Sequence, residues 1–348
     1  MKDIQNIILE FLDNDEEDQK LFDDLKNLLT FQQDELDAHE LKSILYLIST
    51  ISTNHHRTQF FFDKIKKIII FLKNEIKKSF SNDDIYELFE DNKLLLLILL
   101  DEGIFTIDYR ILSQIEKNHQ HFFYPEIIKI DKKYMKREEI PELYDEKRRK
   151  GENDSYICEL IRTDNIENFI IYTTRNCISL SSTINKSIYE TNSFLEDLNP
   201  SLIEYSAFYG SIQIFKYLFQ NQIDLTSSLW LYAIHGNNPE IIHFLEENQI
   251  YPEDKTYKKC LEMSIKCHHN DFALYFQNNF IDKNDELFQY YYGFHYYNFQ
   301  FIPVEYLNKF FFYWAVKFDY FILVDFYYNK YTKRLDDDEI EILINIFK

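Results

Sequence analysis

The sequence predicts an all-α fold, and within that class a solenoid of degenerate helical repeats preceded by amino-terminal helical pairs. Three observations carry this. The chain has 5 glycines and 6 prolines in 348 residues, where average usage would give roughly 24 and 17. Apolar residues recur at three- and four-residue spacing along much of the chain. Three segments between residues 200 and 280 superimpose on one another.

Glycine scarcity disfavours hairpin-rich β folds and phosphate-cradling loops, which both consume glycine. A composition 45% hydrophobic and 18% aromatic supplies a sizeable core and argues against disorder. From the start, Ile4, Ile7, Ile8, Phe11 and Leu12 mark one amphipathic helix. Leu21, Leu25, Leu28 and Leu29 mark a second, after the acidic run 13–18, whose carboxylates suit a helix start. Leu41, Ile44, Leu45, Ile48 and Ile51 mark a third. In the basic stretch Lys64 to Lys78, Ile65, Ile68, Ile69, Leu72 and Ile76 form one stripe and the lysines read as the opposite, solvated face. Residues 1–123 are thus expected to form antiparallel helical pairs. Residues 124–155 hold two of the six prolines, dense charge and weak periodicity, and read as a charged connector or long loop. Residues 335–348, with Asp336 to Asp338 at the front, read as a terminal capping helix.

Between the connector and residue 334 lies the repeat array. SAFYGSIQIFKYLFQN (206–221), AIHGNNPEIIHFLEEN (233–248) and SIKCHHNDFALYFQNN (264–279) share a small residue (Ala207, Ala233, Ser264) and, three residues on, a turn position (Gly210, Gly236, Cys267). An amide or acid follows, then an apolar helix ending in Asn. This is the ankyrin helix–turn–helix pattern. The small residue lets inner helices approach, and glycine ends the inner helix with φ > 0 at little cost. The apolar stripe buries against the next repeat, because one repeat cannot bury its own faces. Weaker copies stand at 88–103, 161–176 and 315–329, with Asp or Phe at the glycine position. The spacing of the copies is irregular, which implies insertions; 85–105 is a degenerate repeat inside the amino-terminal region.

Several phrases also carry a family resemblance. GENDSYICELIR (151–162), ETNSFL (190–195), SLIEYSAFYGSIQIFKYL (201–218), SLWLYAIHGNNPEIIHFLEEN (228–248) and SIKCHHNDFALYF (264–276) resemble the expanded trichomonad ankyrin-repeat proteins that carry a domain of unknown function. STISTNHHR (49–57) and NKLLLLILLDEGIFTID (92–108) resemble that family's amino-terminal half, so the likeness covers about residues 1–280. It implies an ankyrin-like fold and protein binding, and it brings no catalytic residue.

Composition narrows the function further. A net charge of −21 opposes a nucleic-acid partner or anionic lipid. No run of 18 apolar residues occurs, so no membrane insertion is expected. Four scattered cysteines and an amino terminus that turns acidic early point to a reducing, cytoplasmic location. No nucleotide loop, H-E-x-x-H or G-x-S-x-G motif is present, so neither enzyme activity nor a cofactor is expected.

Cys260, Cys267, His268 and His269 have a soft-ligand flavour, but adjacent ligands on one turn rarely converge and C-x2-C spacing is absent. They read as structural, and no metal is expected. His55-His56-Arg57 reads as a cationic helix end, and His235 and His243 as ordinary repeat histidines. The aromatic block 288–301 reads mainly as core, with exposed Tyr and Phe acting as interface anchors as the alternative.

The expected function is a non-catalytic scaffold or adaptor that binds a protein partner through the concave repeat face. The repeat phase places Tyr205, Phe208 and Tyr209, then Leu231, Ile234 and His235, then Glu262, Ile265 and Lys266 towards that partner. Neighbouring inner helices are expected to cover part of this set. The alternative is a regulatory or enzyme-associated helical domain with activity in the amino-terminal half.

Overall fold

Few glycines and prolines leave few positions where a helix must stop, so capping side chains set the boundaries. The computed structural model describes residues 1–14, 19–30, 37–58, 60–131, 140–196, 198–282, 287–303, 309–320 and 323–324. Among them are 21 α-helices, a 3-10 turn at Phe299–Phe301, and no strand beyond one bridge between Thr183 and Ser201. The chain is all-helical across its described residues. None of those helices is long and apolar enough to cross a membrane.

The first half forms α1 (Lys2–Asp13), α2 (Gln19–Thr30), α3 (Ala38–Asn54), α4 (Phe61–Phe71) and α5 (Lys73–Ser79). It continues with α6 (Asn82–Phe89), α7 (Lys93–Asp101), α8 (Tyr109–Asn118), α9 (Tyr124–Ile130) and α10 (Tyr144–Lys150). Ser81 and Asp84 form a capping box on α6, Asn92 accepts from the Leu95 amide on α7, and Asp108 accepts from Arg110 and Ile111 on α8.

Two expectations change here. The lysines of α4 and α5 are not simply solvated: Lys73 donates to the Glu102 carbonyl at 2.5 Å and Lys77 to that of Gly103 at 3.1 Å, closing the open end of α7. Lys64 is buried, donates to the Asn14 carbonyl and sits 5.4 Å over the Phe11 ring. The connector is helical in its described parts, as α9 and α10. Its charges pair: buried Arg148 donates to Glu126 at 2.7 and 3.0 Å, to Asp145 at 2.8 Å and to the Phe122 carbonyl at 3.1 Å. Weak periodicity hid these helices because one face is held by ions rather than by a hydrophobic stripe.

The second half is a stack of helix pairs. α11 (Tyr156–Arg162) pairs with α12 (Ile166–Arg175), and the single-turn α13 (Ser193–Glu196) follows. Next come α14 (Leu202–Phe208) with α15 (Ile212–Gln220), α16 (Leu229–His235) with α17 (Pro239–Glu247), and α18 (Lys258–Lys266) with α19 (Asn270–Phe280). α20 (Leu287–His295) and α21 (Lys309–Lys317) continue it. The first helices of successive pairs pack on one another, α14 on α16, α16 on α18 and α18 on α20.

One turn recurs through the stack. Asp164, Gly210, Asn237, His268, Tyr297 and Asp319 all have φ between 47° and 65°. In five of these turns the next amide bonds the carbonyl five residues back, as in Ser211 to Ser206, His269 to Ser264 and Asn298 to Gly293. The left-handed residue in the second and third units is therefore Asn237 and His268, not Gly236 and Cys267, whose φ values are −69° and −79°. Gly236 serves close approach instead. A Cβ there would lie 2.2 Å from the Ala207 carbonyl oxygen and 2.8 Å from the Gly210 nitrogen.

After most of these left-handed turns the next residue ties its unit to the one before. Ser211 donates to the Ile161 carbonyl (2.5 Å), Asn238 to Gly210 (2.9 Å), His269 faces Ile234 (2.7 Å), and Asn298 donates to Ile265 (3.0 Å). The asparagines that end the second helices act alike: Asn176, Asn221, Asn248 and Asn279 each donate to the carbonyl four residues back at 2.8 Å. Gly103, Cys177, Gln222 and Gln249 follow with positive φ, each before an isoleucine whose amide closes the helix. The α6–α7 pair thus ends on the same punctuation as the later pairs.

The two hydrophobic cores do not divide at the connector. One runs from Cys158 through Phe276 and takes in Phe301. The other joins the amino-terminal helices to Phe294, Tyr297, Phe299, Ile302, Phe311, Phe312, Ala315, Tyr320 and Val324. Gln5 seals that junction, donating to Asn298 Oδ1 at 2.9 Å and accepting from the Phe299 amide at 2.6 Å. Residues 15–18, 132–139, 325–334 and the tail 335–348, where a capping helix is expected, lie outside the described residues.

Candidate functional site

The expected partner-facing strip divides. Tyr205, Phe208, Ile234, His235 and Ile265 are buried, so they are withdrawn as direct contacts; Tyr209, Leu231, Glu262 and Lys266 are half-buried. Neighbouring units and the amino-terminal half both contribute to the burial. Tyr205 accepts from Arg162 at 3.1 Å. Phe208 stacks on Phe194 of α13 at 5.9 Å, and His235 lies 4.4 Å from Phe194 and 4.9 Å from Phe208. His235 is pushed down to about 3 by burial, then by Lys266 and Arg57. It is a neutral core ring that faces Cys267 Sγ at 3.4 Å. His243, by contrast, is exposed and pairs with Glu247 at 3.0 Å.

The same seam gathers the residues that the sequence reading kept apart. α3 ends at Asn54, and His55 and His56 follow directly. Their rings lie 4.4 Å apart and 4.9 and 5.1 Å from the ring of His269, which opens α19 more than 200 residues later. The ring nitrogens of the three histidines that face one another lie within 4.8 Å. His55 Nδ1 sits 2.6 Å from the Cys267 carbonyl and its Nε2 2.7 Å from Asp13 Oδ1, at the end of α1. His56 Nδ1 meets His269 Nε2 at 3.0 Å, and its Nε2 lies 3.4 Å from Asp13. His269 Nδ1 faces the Ile234 carbonyl, so its proton belongs there and Nε2 presents a lone pair.

Electrostatics agree with that assignment. Burial, with the neighbouring histidines, holds His269 well below its ordinary value, and burial with His55 pushes His56 down to about 3. For Asp13, burial pushes up, but the His55 hydrogen bond and the charges of His55, His56 and Lys64 outweigh it and hold the carboxyl low. Beside the cluster lies a pocket of about 40 Å³ bordered by both adjacent histidines, Arg57, Asn192, Tyr209 and Gly236, room for about one water. Arg57 donates to the Gly151 carbonyl at 2.9 Å and stands 3.9 Å from buried Glu190.

The Cys260–His269 quartet does not converge. Cys260 is core, Cys267 faces His235, His268 faces the Tyr297 carbonyl at 3.3 Å, and His269 alone points to the seam. The HisHis dipeptide was the available signal for the seam. Its partner was hidden by sequence distance.

These features define a class: helix pairs stacked across the described residues, with the far end of the stack packed on the amino-terminal helices. A family profile, that of a domain of unknown function (DUF3447), matches residues 219–305. This is about a quarter of the chain, from the end of α15 through the 3-10 turn. No curated protein and no solved structure matches the chain. His269 falls inside the matched span, and His55, His56 and Asp13 fall outside it.

Proposed function

We propose that the chain is a non-catalytic protein-interaction scaffold whose helix pairs are ankyrin-type repeats. The repeated left-handed turn and the unit-to-unit hydrogen bonds support that repeat reading, and such stacks present extended binding surfaces. The burial of five expected contacts moves the favoured surface. One observation carries the revised reading: exposed apolar residues recur along α19 and at the start of α20. Leu274, Tyr275, Phe280, Leu287 and Phe288 are each at least 36% exposed. Tyr275 lies 5.8 Å from Phe280, which stacks on Tyr257 at 4.0 Å, and Lys258 lies 4.7 Å over Phe288. Rigid aromatics beside charge are the usual anchors of a protein interface. The half-buried Tyr209, Leu231, Glu262 and Lys266 remain a secondary strip.

A photo-crosslinking residue placed at Tyr275 or Phe288 of the full chain, in source cells, tests this. Crosslinks to a discrete protein are expected there, lost with Phe280→Glu and absent from Tyr109, an exposed tyrosine in the other half. Crosslinking at Tyr109 alone would overturn the reading.

A further inference from the structure

We propose that His55, His56 and His269, with Asp13 beside them, bind one divalent metal ion of the zinc class, which clasps the amino-terminal half to the repeat stack.

The donor set suits that ion. Zinc takes imidazole nitrogen and carboxylate oxygen in tetrahedral array at about 2.0–2.2 Å, which places neighbouring donors about 3.3 Å apart. Two contacts here, 2.7 Å from His55 Nε2 to Asp13 Oδ1 and 3.0 Å from His56 Nδ1 to His269 Nε2, are near that spacing, and the facing nitrogens of the three histidines all lie within 4.8 Å of one another. Two ligands are already oriented by outer partners. His55 and His269 each direct Nδ1 to a backbone carbonyl, of Cys267 and Ile234, which leaves Nε2 as the donor for metal. His56 uses Nδ1, the nitrogen turned towards His269.

Without an ion these contacts are hydrogen bonds: the His55 ring faces Asp13 and the Cys267 carbonyl, and a proton on His56 Nδ1 meets the His269 Nε2 lone pair. A chain of pairwise hydrogen bonds does not require nitrogens of all three rings to converge within 4.8 Å, as they do here. A dication would send the His55 Nε2 proton to solvent and move the His56 proton from Nδ1 to Nε2, which faces Asp13 at 3.4 Å. The adjoining pocket leaves room for about one water beside the site.

The ligands come from the end of α1, the end of α3 and the start of α19, so the ion would lock three helix termini. This inference is independent of which partner the scaffold binds.

The test titrates the full chain, stripped with chelator and dialysed, with Zn2+ by calorimetry and with Co2+ by visible spectroscopy. One equivalent should bind with a Kd below about 1 μM, and Co2+ should give the intense visible bands of a tetrahedral site. His56→Gln and His269→Gln should each weaken binding by roughly 100-fold or more, beyond the roughly 10–100-fold expected for loss of an outer partner. His243→Gln, which removes an exposed His–Glu pair, should change nothing. His56 is 23% exposed at its side chain, so its variant should keep the parent's circular dichroism and carries the test if His269→Gln misfolds. Parent binding weaker than about 100 μM, or equal binding by parent and His56→Gln, overturns the proposal.

Discussion

Gly236→Ala is the sharpest probe of how the helix pairs stack. The added methyl carbon would stand 2.2 Å from the Ala207 carbonyl oxygen and 2.8 Å from the Gly210 nitrogen. Ordinary carbon contacts begin near 3.4 Å, so α16 and α14 must part by about 1 Å. Both obstacles are backbone atoms, which no rotamer change can move. Overpacking of this kind costs about 1–3 kcal/mol, occasionally more. Parting the helices also strains the Asn238 bond to the Gly210 carbonyl, worth about 1 kcal/mol. The expected loss is about 2–4 kcal/mol. Gly103→Ala is the control: φ is +63° but nothing lies within 4 Å of the new Cβ, so the loss is about 1–2 kcal/mol from backbone strain alone. Asn discriminates further. It tolerates positive φ and should partly rescue position 103, whereas at Gly236 it should be no better than Ala. Urea unfolding followed by circular dichroism measures all four variants. A Gly236→Ala loss below about 1 kcal/mol, or equal to that at Gly103, would refute the close-approach argument.

Glu190→Gln should cost about 3–5 kcal/mol in urea unfolding, because buried Arg57 loses its counter-charge; a loss below 1 kcal/mol would count against that pairing. His235 is lowered from its ordinary value of 6.5 to about 3 by burial, Lys266 and Arg57, opposed by the Asn54 carbonyl. The native state therefore binds fewer protons than the unfolded one in that window: the stabilisation is full above pH 6.5 and is lost as pH falls towards 3. His235→Gln should reduce the slope of stability against pH between 4 and 6 by about 1.4 kcal/mol per unit, and an unchanged slope would contradict the assignment. Gln5→Leu should speed hydrogen exchange at the Phe299 amide, which loses its acceptor, at a stability cost of about 1–3 kcal/mol.

What was legible in the sequence follows the range of each interaction. The helices came from local periodicity, and the recurring turn came from short self-similar segments. Gly236 was misassigned because two adjacent residues could each hold the left-handed conformation. The space around a Cβ, which decides the role of that glycine, is a property of the neighbouring unit. The segment holding Arg148 reads in sequence as a charged connector because nothing local marks Glu126, 22 residues away, as its partner. The burial of Ile234 and His235, and the meeting of His55 with His269, depend on helices distant in sequence. Local pattern carries no information on those contacts. The asparagines ending the second helices were seen as punctuation, and the carbonyl bonds supply the reason for them.

The two cores make a further demand on the chain. If the halves were independent, cutting within 132–139 would give two stable pieces. The core around α1 to α8, however, includes nine residues from Phe294 to Val324. Burial of an apolar side chain of this size contributes about 1.5–3 kcal/mol, so even half of that contact is worth roughly 7–13 kcal/mol, comparable with the whole stability of a typical domain. Residues 1–135 alone would expose the floor of their core, and residues 136–348 alone would expose Phe294, Phe311 and Tyr320. Co-expressed, the two fragments should form a 1:1 complex by size-exclusion chromatography, with the helicity of the intact chain. Each alone should aggregate or lack a cooperative thermal transition. Two separately folded, monomeric fragments would show that the Gln5–Asn298 junction is a superficial contact. Association instead would mean that the return of the chain to its own start is part of what folds it, and that the histidine seam lies on a boundary the fold requires to be closed.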